Sequence, residues 1–258
     1  MQQEHSGDLG MYIRLERKCG FYELYIKRLM DIICSLAAII VFSWLYIIVA
    51  VLFRVKLGSP VLFKQPRPGK IDPQTGREKI FYMYKFRSMS DERNENGNLL
   101  PDDVRLGKFG KALRATSLDE LPEAFNILKG DMSIIGPRPQ LVRDMVFMTS
   151  EQRKRHTAKP GLSGLAQTRG RNALSWDAKL ATDIEYIENI TFLGDVKIII
   201  NTVKQVFFKE KGIEGGTVDE IDITDDFGDY LLKAGKVSKE EYNKKQKEAK
   251  KLLESTRE

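Results

Sequence analysis

The chain has 258 residues, 30% charged and 42% hydrophobic, with 42 Lys and Arg against 36 Asp and Glu and a net charge of +6. That composition is globular, and the length allows one domain or two small ones around a real core. Two cysteines exclude a disulfide scaffold, and with only two histidines, His5 and His156, they make a thiolate–imidazole metal site improbable.

Residues 1–31 mix both charges with Ile13, Leu15, Phe21, Leu24, Ile26 and Leu29 at loose helical spacing. This pattern predicts a surface helix leading into a membrane. Cys19 lies here in a charged run and Cys34 in the apolar run that follows; both are expected to be reduced and structural.

Ile32 to Phe53 is 22 residues without a formal charge. As a helix it would be about 33 Å long, against a hydrocarbon core of about 30 Å. Lys27 and Arg28 flank one end, Arg54 and Lys56 the other, with Lys64, Arg67 and Lys70 close behind. A spanning helix normally has one basic side; here both ends carry the cytoplasmic signature. A re-entrant turn near Ser43, with arms of about 16 Å, satisfies that pattern. Ser43 could hydrogen-bond to the preceding turn, although Trp44 is no helix breaker. One straight spanning helix is the other reading.

Residues 61–64 and 80–86 are short β-branched and aromatic runs separated by turn signals at 67–69, 72–73 and 75–76, which predicts a β-hairpin. Residues 90–103 are polar, contain Asn96-Gly97, and read as a loop. From Thr116 to Leu128 the pattern is helical, opened by a Ser117–Glu120 capping box or by Asp119 as N-cap, with Pro122 near the first turn. Val196, Ile199, Ile200, Val203, Val206 and Phe207 recur at helical spacing among Lys197, Asn201 and Lys204, so this helix is amphipathic. It packs on a core or lies in a membrane interface. Residues 209–258 hold 11 basic and 13 acidic side chains, so the basic excess lies in residues 1–208 and points to an anionic partner. Glu214-Gly215-Gly216 reads as a flexible joint before an acidic stretch over 219–229. Ser238 to Glu241 is a second capping box, opening a Lys/Glu-rich helix.

The densest chemical constellation runs from Arg114 to Pro139. It holds adjacent carboxylates, Asp119 and Glu120, then Asp131 and a Gly136-Pro137-Arg138-Pro139 turn. Helix N-termini favour anions, so a carboxylate there is expected to have a lowered pKa and stay ionised, ready to act as nucleophile or Mg²⁺ ligand. The same two acids would equally serve merely to cap a helix. Arginines at proline-fixed turns suit bidentate phosphate contacts.

This stretch, with KFRSM at 85–89, PGLSGLAQ at 160–167 and GRN at 170–172, closely resembles the bacterial sugar transferase family, the monotopic phosphoglycosyltransferases acting on polyprenyl phosphate. The likeness extends from about Tyr25 to Phe208. It implies transfer of a sugar 1-phosphate from a UDP-sugar to undecaprenyl or another polyprenyl phosphate, releasing UMP, with Mg²⁺. Asp119 would be nucleophile and metal ligand, carrying the phosphosugar covalently, and Glu120 would orient groups or handle protons. Arg114, Arg138 and Arg171 match family positions contacting phosphate or nucleotide; Lys85 and Asp183 match further polar positions taken as substrate-binding. His156 also matches a family position, with a structural role expected. The family's helix-breaking Ser-Pro pair reads Ser43-Trp44 here.

The expected fold is therefore α/β and mostly helical, with an N-terminal re-entrant membrane helix, a short β-hairpin and interfacial amphipathic helices. The segments are 1–31 (surface helix), 32–53 (membrane), 54–208 (cytoplasmic catalytic domain) and 209–258 (extension). The expected location is the cytoplasmic face of a bacterial inner membrane, with the lipid bilayer and downstream glycosyltransferases of a glycoconjugate pathway as partners. No nucleic-acid motif accompanies the basic charge. A catalytically idle scaffold that binds nucleotide sugars is the alternative.

Overall fold

The computed structural model describes residues 17, 19–170, 174–207 and 226–256. The chain is mostly helical. A π-helical turn (Tyr22–Ile26) leads into α1 (Lys27–Val41) and α2 (Ser43–Leu57), followed by the hairpin β1 (Leu62–Ile71) and β2 (Glu78–Phe86). Then come α3 (Asp102–Ala115), a 3-10 turn (Leu118–Glu120), α4 (Glu123–Lys129) and β3 (Ser133–Ile135). After these lie α5 (Val142–Met145), α6 (Ser150–Arg153), a 3-10 turn (Lys154–Thr157), β4 (Gly161–Ser163) and α7 (Leu165–Gly170). Helices α8 (Trp176–Glu188), α9 (Phe192–Phe207), α10 (Phe227–Lys233) and α11 (Lys239–Ser255) complete the order. The two small sheets are β1–β2 and β3–β4.

The hairpin is longer than the sequence patterns indicate. β1 carries Pro66 and Pro68, which cannot donate to a ladder. In a two-stranded sheet every strand is an edge, and residues two apart share a direction, so both ring nitrogens can face away from β2. The turn closes with Asp72 N donating to Arg77 O (2.9 Å) and Gly76 N to Asp72 O (2.8 Å), Gly76 adopting φ +64°.

Two compact units share the chain. One comprises residues 27–65 and 82–134, the other residues 1–26, 66–81 and 135–258.

In the first unit the apolar run is not one helix. α1 and α2 meet at Phe42, and the pair Tyr22–Val41 and Ser43–Leu57 is bent by 61°. Among the described residues no single helix is long and apolar enough to cross a membrane; the bent pair passes that test jointly. The break falls at Phe42, and Ser43 opens α2. The serine that bonds back along its helix is Ser35, whose Oγ donates to Asp31 O at 2.6 Å.

α1 has its polarity reversed. Its fully buried residues are Asp31 and Ser35, whereas Leu29, Ile33, Leu36, Ile40 and Val41 are exposed. Buried Asp31 accepts from Ser133 Oγ (3.0 Å) and Ile134 N (2.9 Å). Arg28, one turn earlier on the same face, donates to Ile127 O (2.7 Å) and Leu128 O (2.8 Å), carbonyls of the last turn of α4. α2 buries Val49 and Phe53 against Phe86 and Leu113 but exposes Trp44, Ile47, Ile48, Val51, Leu52 and Val55.

In the second unit, Val146, Phe147, Met148, Trp176, Leu180, Phe227, Leu231 and Ala249 form one apolar core. The extension is thus part of this unit, with Phe227 only 1% exposed. Ser238 caps α11 as expected, accepting from Glu241 N at 3.1 Å. The joint at 214–216 and most of the acidic stretch lie outside the described residues, as do residues 1–16.

Candidate functional site

The Asp119-Glu120 pair belongs to the first unit, and its setting differs from the expected helix start. The region Thr116–Leu128 is not one helix: the 3-10 turn Leu118–Glu120 precedes α4, and neither element has a side-chain cap. Ser117 adopts φ +55°, alone among the described non-glycine residues in having positive φ, and reverses the chain into the turn. Such a conformation carries about 1–3 kcal/mol of strain and is held only when its surroundings over-determine it. Here the anchors are Leu118 and Leu121, which pack against the Val49, Phe53, Phe86 and Leu113 cluster. Tyr46 Oη also donates to Leu121 O at 2.6 Å. The sequence Leu-Asp-Glu-Leu thus grips the core at both ends and presents the acids between.

α4 is fixed on β2 by Asn126, fully buried, whose Oδ1 accepts from Tyr84 N (2.9 Å) and whose Nδ2 donates to Tyr82 O (2.8 Å). That pairing brackets Met83 and ends at the residue before Lys85. Lys85 Nζ lies 2.8 Å from Glu120 Oε1 and 3.1 Å from Glu123 Oε1. Glu123 is a buried third carboxylate that sequence reasoning passed over. Its signal was its place three residues before Asn126, one turn along a face that meets β2.

The rest of the KFRSM run has structural work. Arg87 is buried, donating to Leu57 O (2.7 Å) at the end of α2, to Ser59 O (3.1 Å) and to Met89 O (2.9 Å). Ser88 Oγ accepts from Arg114 Nε at 3.0 Å, and the guanidinium of Arg114 is otherwise exposed. A Cβ on Gly110 would sit 2.1 Å from Ser88 O, so only glycine lets α3 approach this closely.

Asp119 is 8% exposed. Burial pushes its carboxyl above the ordinary range, Lys85 pulls it down, the neighbouring Glu120 pushes it up, and Arg114 adds a further downward pull. The lowered pKa expected from a helix N-terminus is therefore reversed. The acid lies in a turn before α4, where desolvation outweighs the nearby cations.

The second unit holds Arg138 and Asp183. Arg138 is exposed on a turn built by glycines. Gly136 N donates to Ser163 O (2.9 Å) and Gly161 N to Pro137 O (3.0 Å), and a Cβ on Gly161 would meet Gly136 N at 2.0 Å. The Gly-Pro-Arg-Pro and Pro-Gly-Leu-Ser-Gly motifs are two halves of one close backbone contact. Arg155, itself 1% exposed, donates to Arg138 O (2.6 Å) and twice to Asp183 Oδ2 (2.9 and 2.6 Å). Asp183, 2% exposed, is thus an interior counter-ion and not the substrate-facing group expected. His156 is buried, its Nδ1 2.9 Å from Glu78 Oε1, and Arg153 also pairs with Glu78. Burial opposes ionisation of Glu78, yet the His156 and Arg153 hydrogen bonds hold its carboxyl down at about 2. Arg171 lies outside the described residues. Cys19 and Cys34 are both free, with Cys34 exposed and so not in a core role. Among the described residues no group of three or more His, Cys, Asp or Glu is arranged to hold a metal.

Residues 22–209 match the family described as bacterial sugar transferase. The chain is 44% identical over 187 residues to the uncharacterized sugar transferase EpsL of Bacillus subtilis, covering 72% of the chain and 90% of that relative. It is 34% identical over 204 residues to the exopolysaccharide production protein PSS of Rhizobium leguminosarum, covering 74% and 99%. It is also 34% identical over 204 residues to the undecaprenyl-phosphate galactose phosphotransferase of Salmonella typhimurium, but spans only 41% of that longer protein.

Proposed function

Because the chain belongs to the bacterial sugar transferase family, we propose that it transfers a sugar 1-phosphate from a UDP-sugar to a polyprenyl phosphate such as undecaprenyl phosphate, beginning the membrane stage of polysaccharide synthesis. The observation that carries this is Asp119, held on an anchored turn within the electrostatic influence of Lys85 and Arg114.

In the first step an Asp119 carboxylate oxygen bonds to the β-phosphorus. The bond from that phosphorus to the bridging oxygen breaks, and UMP leaves with the electron pair. In the second step a phosphate oxygen of the polyprenyl phosphate attacks the same phosphorus and restores the carboxylate. Dividing the displacement lets two anionic substrates use the site in turn. Lys85 and Arg114 offset the charge that accumulates when carboxylate and diphosphate meet. Within the other unit, the turn that carries Arg138 is held from the interior by Arg155, which Asp183 fixes against the Arg138 carbonyl.

The hard oxygens of Asp119 suit Mg²⁺, which favours one or two carboxylates plus substrate phosphate and water. When bound, the ion would neutralise diphosphate charge.

The reversed polarity of α1 supports insertion of α1 and α2 as a re-entrant loop. Buried polar residues and exposed Leu, Ile and Val are what a hydrocarbon solvent selects. Each arm has 15 residues, about 22 Å, less than the hydrocarbon core. Lys27 and Arg28 at one open end and Arg54 and Lys56 at the other then face the same side, the cytoplasm under the positive-inside rule.

The test is UMP release from a panel of UDP-sugars with undecaprenyl phosphate in detergent. Asp119→Asn should abolish release and the phosphosugar adduct found by mass spectrometry in the wild type. Full activity in that variant would defeat the assignment of Asp119; a wild type that binds nucleotide sugar but releases no UMP and carries no adduct would leave the chain as a scaffold.

A further inference from the structure

We propose that Glu123 is a positioning residue for the donor: the buried, permanent counter-ion that keeps Lys85 in place while the Lys85–Glu120 pair opens to admit a diphosphate. This rests on the reading of the site as a UDP-sugar site.

Lys85 faces two carboxylates at nearly equal distance, 2.8 Å to Glu120 and 3.1 Å to Glu123. They are not equivalent. The Glu123 side chain is 4% exposed, that of Glu120 22%, and that of Lys85 16%. An anion arriving from solvent therefore reaches Lys85 on the Glu120 side. Glu120 lies on the 3-10 turn, next to the strained Ser117 reversal. Glu123 lies in the first turn of α4, three residues before Asn126, which pins that helix to the backbone of Tyr82 and Tyr84, immediately before Lys85 on the same strand. One counter-ion is mounted on the rigid frame that carries the lysine, the other on the turn that carries the nucleophile.

The consequence is an exchange of partners. A diphosphate oxygen replaces Glu120 on the ammonium, and Glu120 is released beside Asp119. Lys85 loses no anchorage, because Glu123 stays behind it, away from solvent. Without Glu123 the flexible four-carbon stem must be ordered by the donor itself, at an entropic cost to binding. Glu123 touches neither donor nor acceptor in this scheme and acts only through Lys85.

That dependence is measurable as a double-mutant cycle in UDP affinity, read by calorimetry, on the full chain in detergent. Glu123→Gln is nearly isosteric and removes only the charge. It should weaken UDP binding roughly tenfold, mid-range for coupled contacts. Lys85→Met should weaken it at least as much, and the double variant should bind no more weakly than Lys85→Met alone. Unchanged affinity in Glu123→Gln, or losses that multiply in the double variant, overturns the inference. If Glu123→Gln does not fold, Glu123→Asp keeps the charge on a shorter stem. Its smaller loss should likewise vanish in the Lys85→Met background, and persistence there overturns the inference equally. Wild-type UMP release separates the two levels. Release with multiplying losses removes only the role of Glu123; a wild type that neither binds UDP nor releases UMP removes the donor reading with it.

Discussion

At the scale of single residues, the charge state of Asp119 is a contest between desolvation and two cations. Burial raises its pKa, and Lys85 is the strongest opposing influence. The ionised form is the nucleophile, so the rate falls as pH drops through that raised pKa. Replacing Lys85 with Met removes the main downward pull, and the acid limb of the kcat profile should move to higher pH. An acid limb that stays put in Lys85→Met would show that another group sets it. This balance was not legible in the sequence. Adjacent acids near a helical pattern indicate a helix cap with a lowered pKa, and only the packing of Leu118 and Leu121 shows the turn drawn against the core. Asp183 teaches the same lesson, since nothing local distinguishes a surface aspartate from one enclosed with Arg155.

At the scale of elements, the bent pair α1–α2 was half legible. Its apolar run and basic flanks are sequence properties. The break at Phe42 and the start of α1 at Lys27 are not, because no proline or glycine marks either. What ties α1 to the rest of its unit is polar: Arg28 on the last carbonyls of α4, and Asp31 on Ser133 and Ile134. Arg28→Ala removes two charge-assisted hydrogen bonds and leaves the carbonyls of Ile127 and Leu128 without that partner. Hydrogen bonds to charged groups contribute about 1.5–3 kcal/mol each. The variant should therefore unfold at clearly lower temperature in detergent, with the loss read by circular dichroism. An unchanged midpoint would show that apolar contact alone seats the helix.

At the scale of the whole chain, the family likeness ends at residue 209, yet the folded unit does not. Phe227 is buried with Trp176 and beside Phe147, and its backbone N–H donates to Asp144 Oδ1 at 3.0 Å. Gly228 passes so close to Phe147 that a Cβ would meet its ring at 2.5 Å. Phe227→Ala should cost about 3–5 kcal/mol, as for other large aromatic truncations in cores. Chemical denaturation would measure it. A loss under about 1 kcal/mol, the range of a surface change, would mean that the extension only rests on this unit.

Sequence alone determined the helical majority, the hairpin, the amphipathic helix before residue 208, the capped C-terminal helix and the identity of the acidic pair. Each of these is written in local periodicity, turn chemistry or an ordered motif within a few residues. Tertiary structure decided the rest: which carboxylate is buried, which acid partners which base, where the apolar run bends, and that α10 and α11 join a core. Those outcomes depend on desolvation and on contacts between residues far apart in the chain, and no window of sequence contains them.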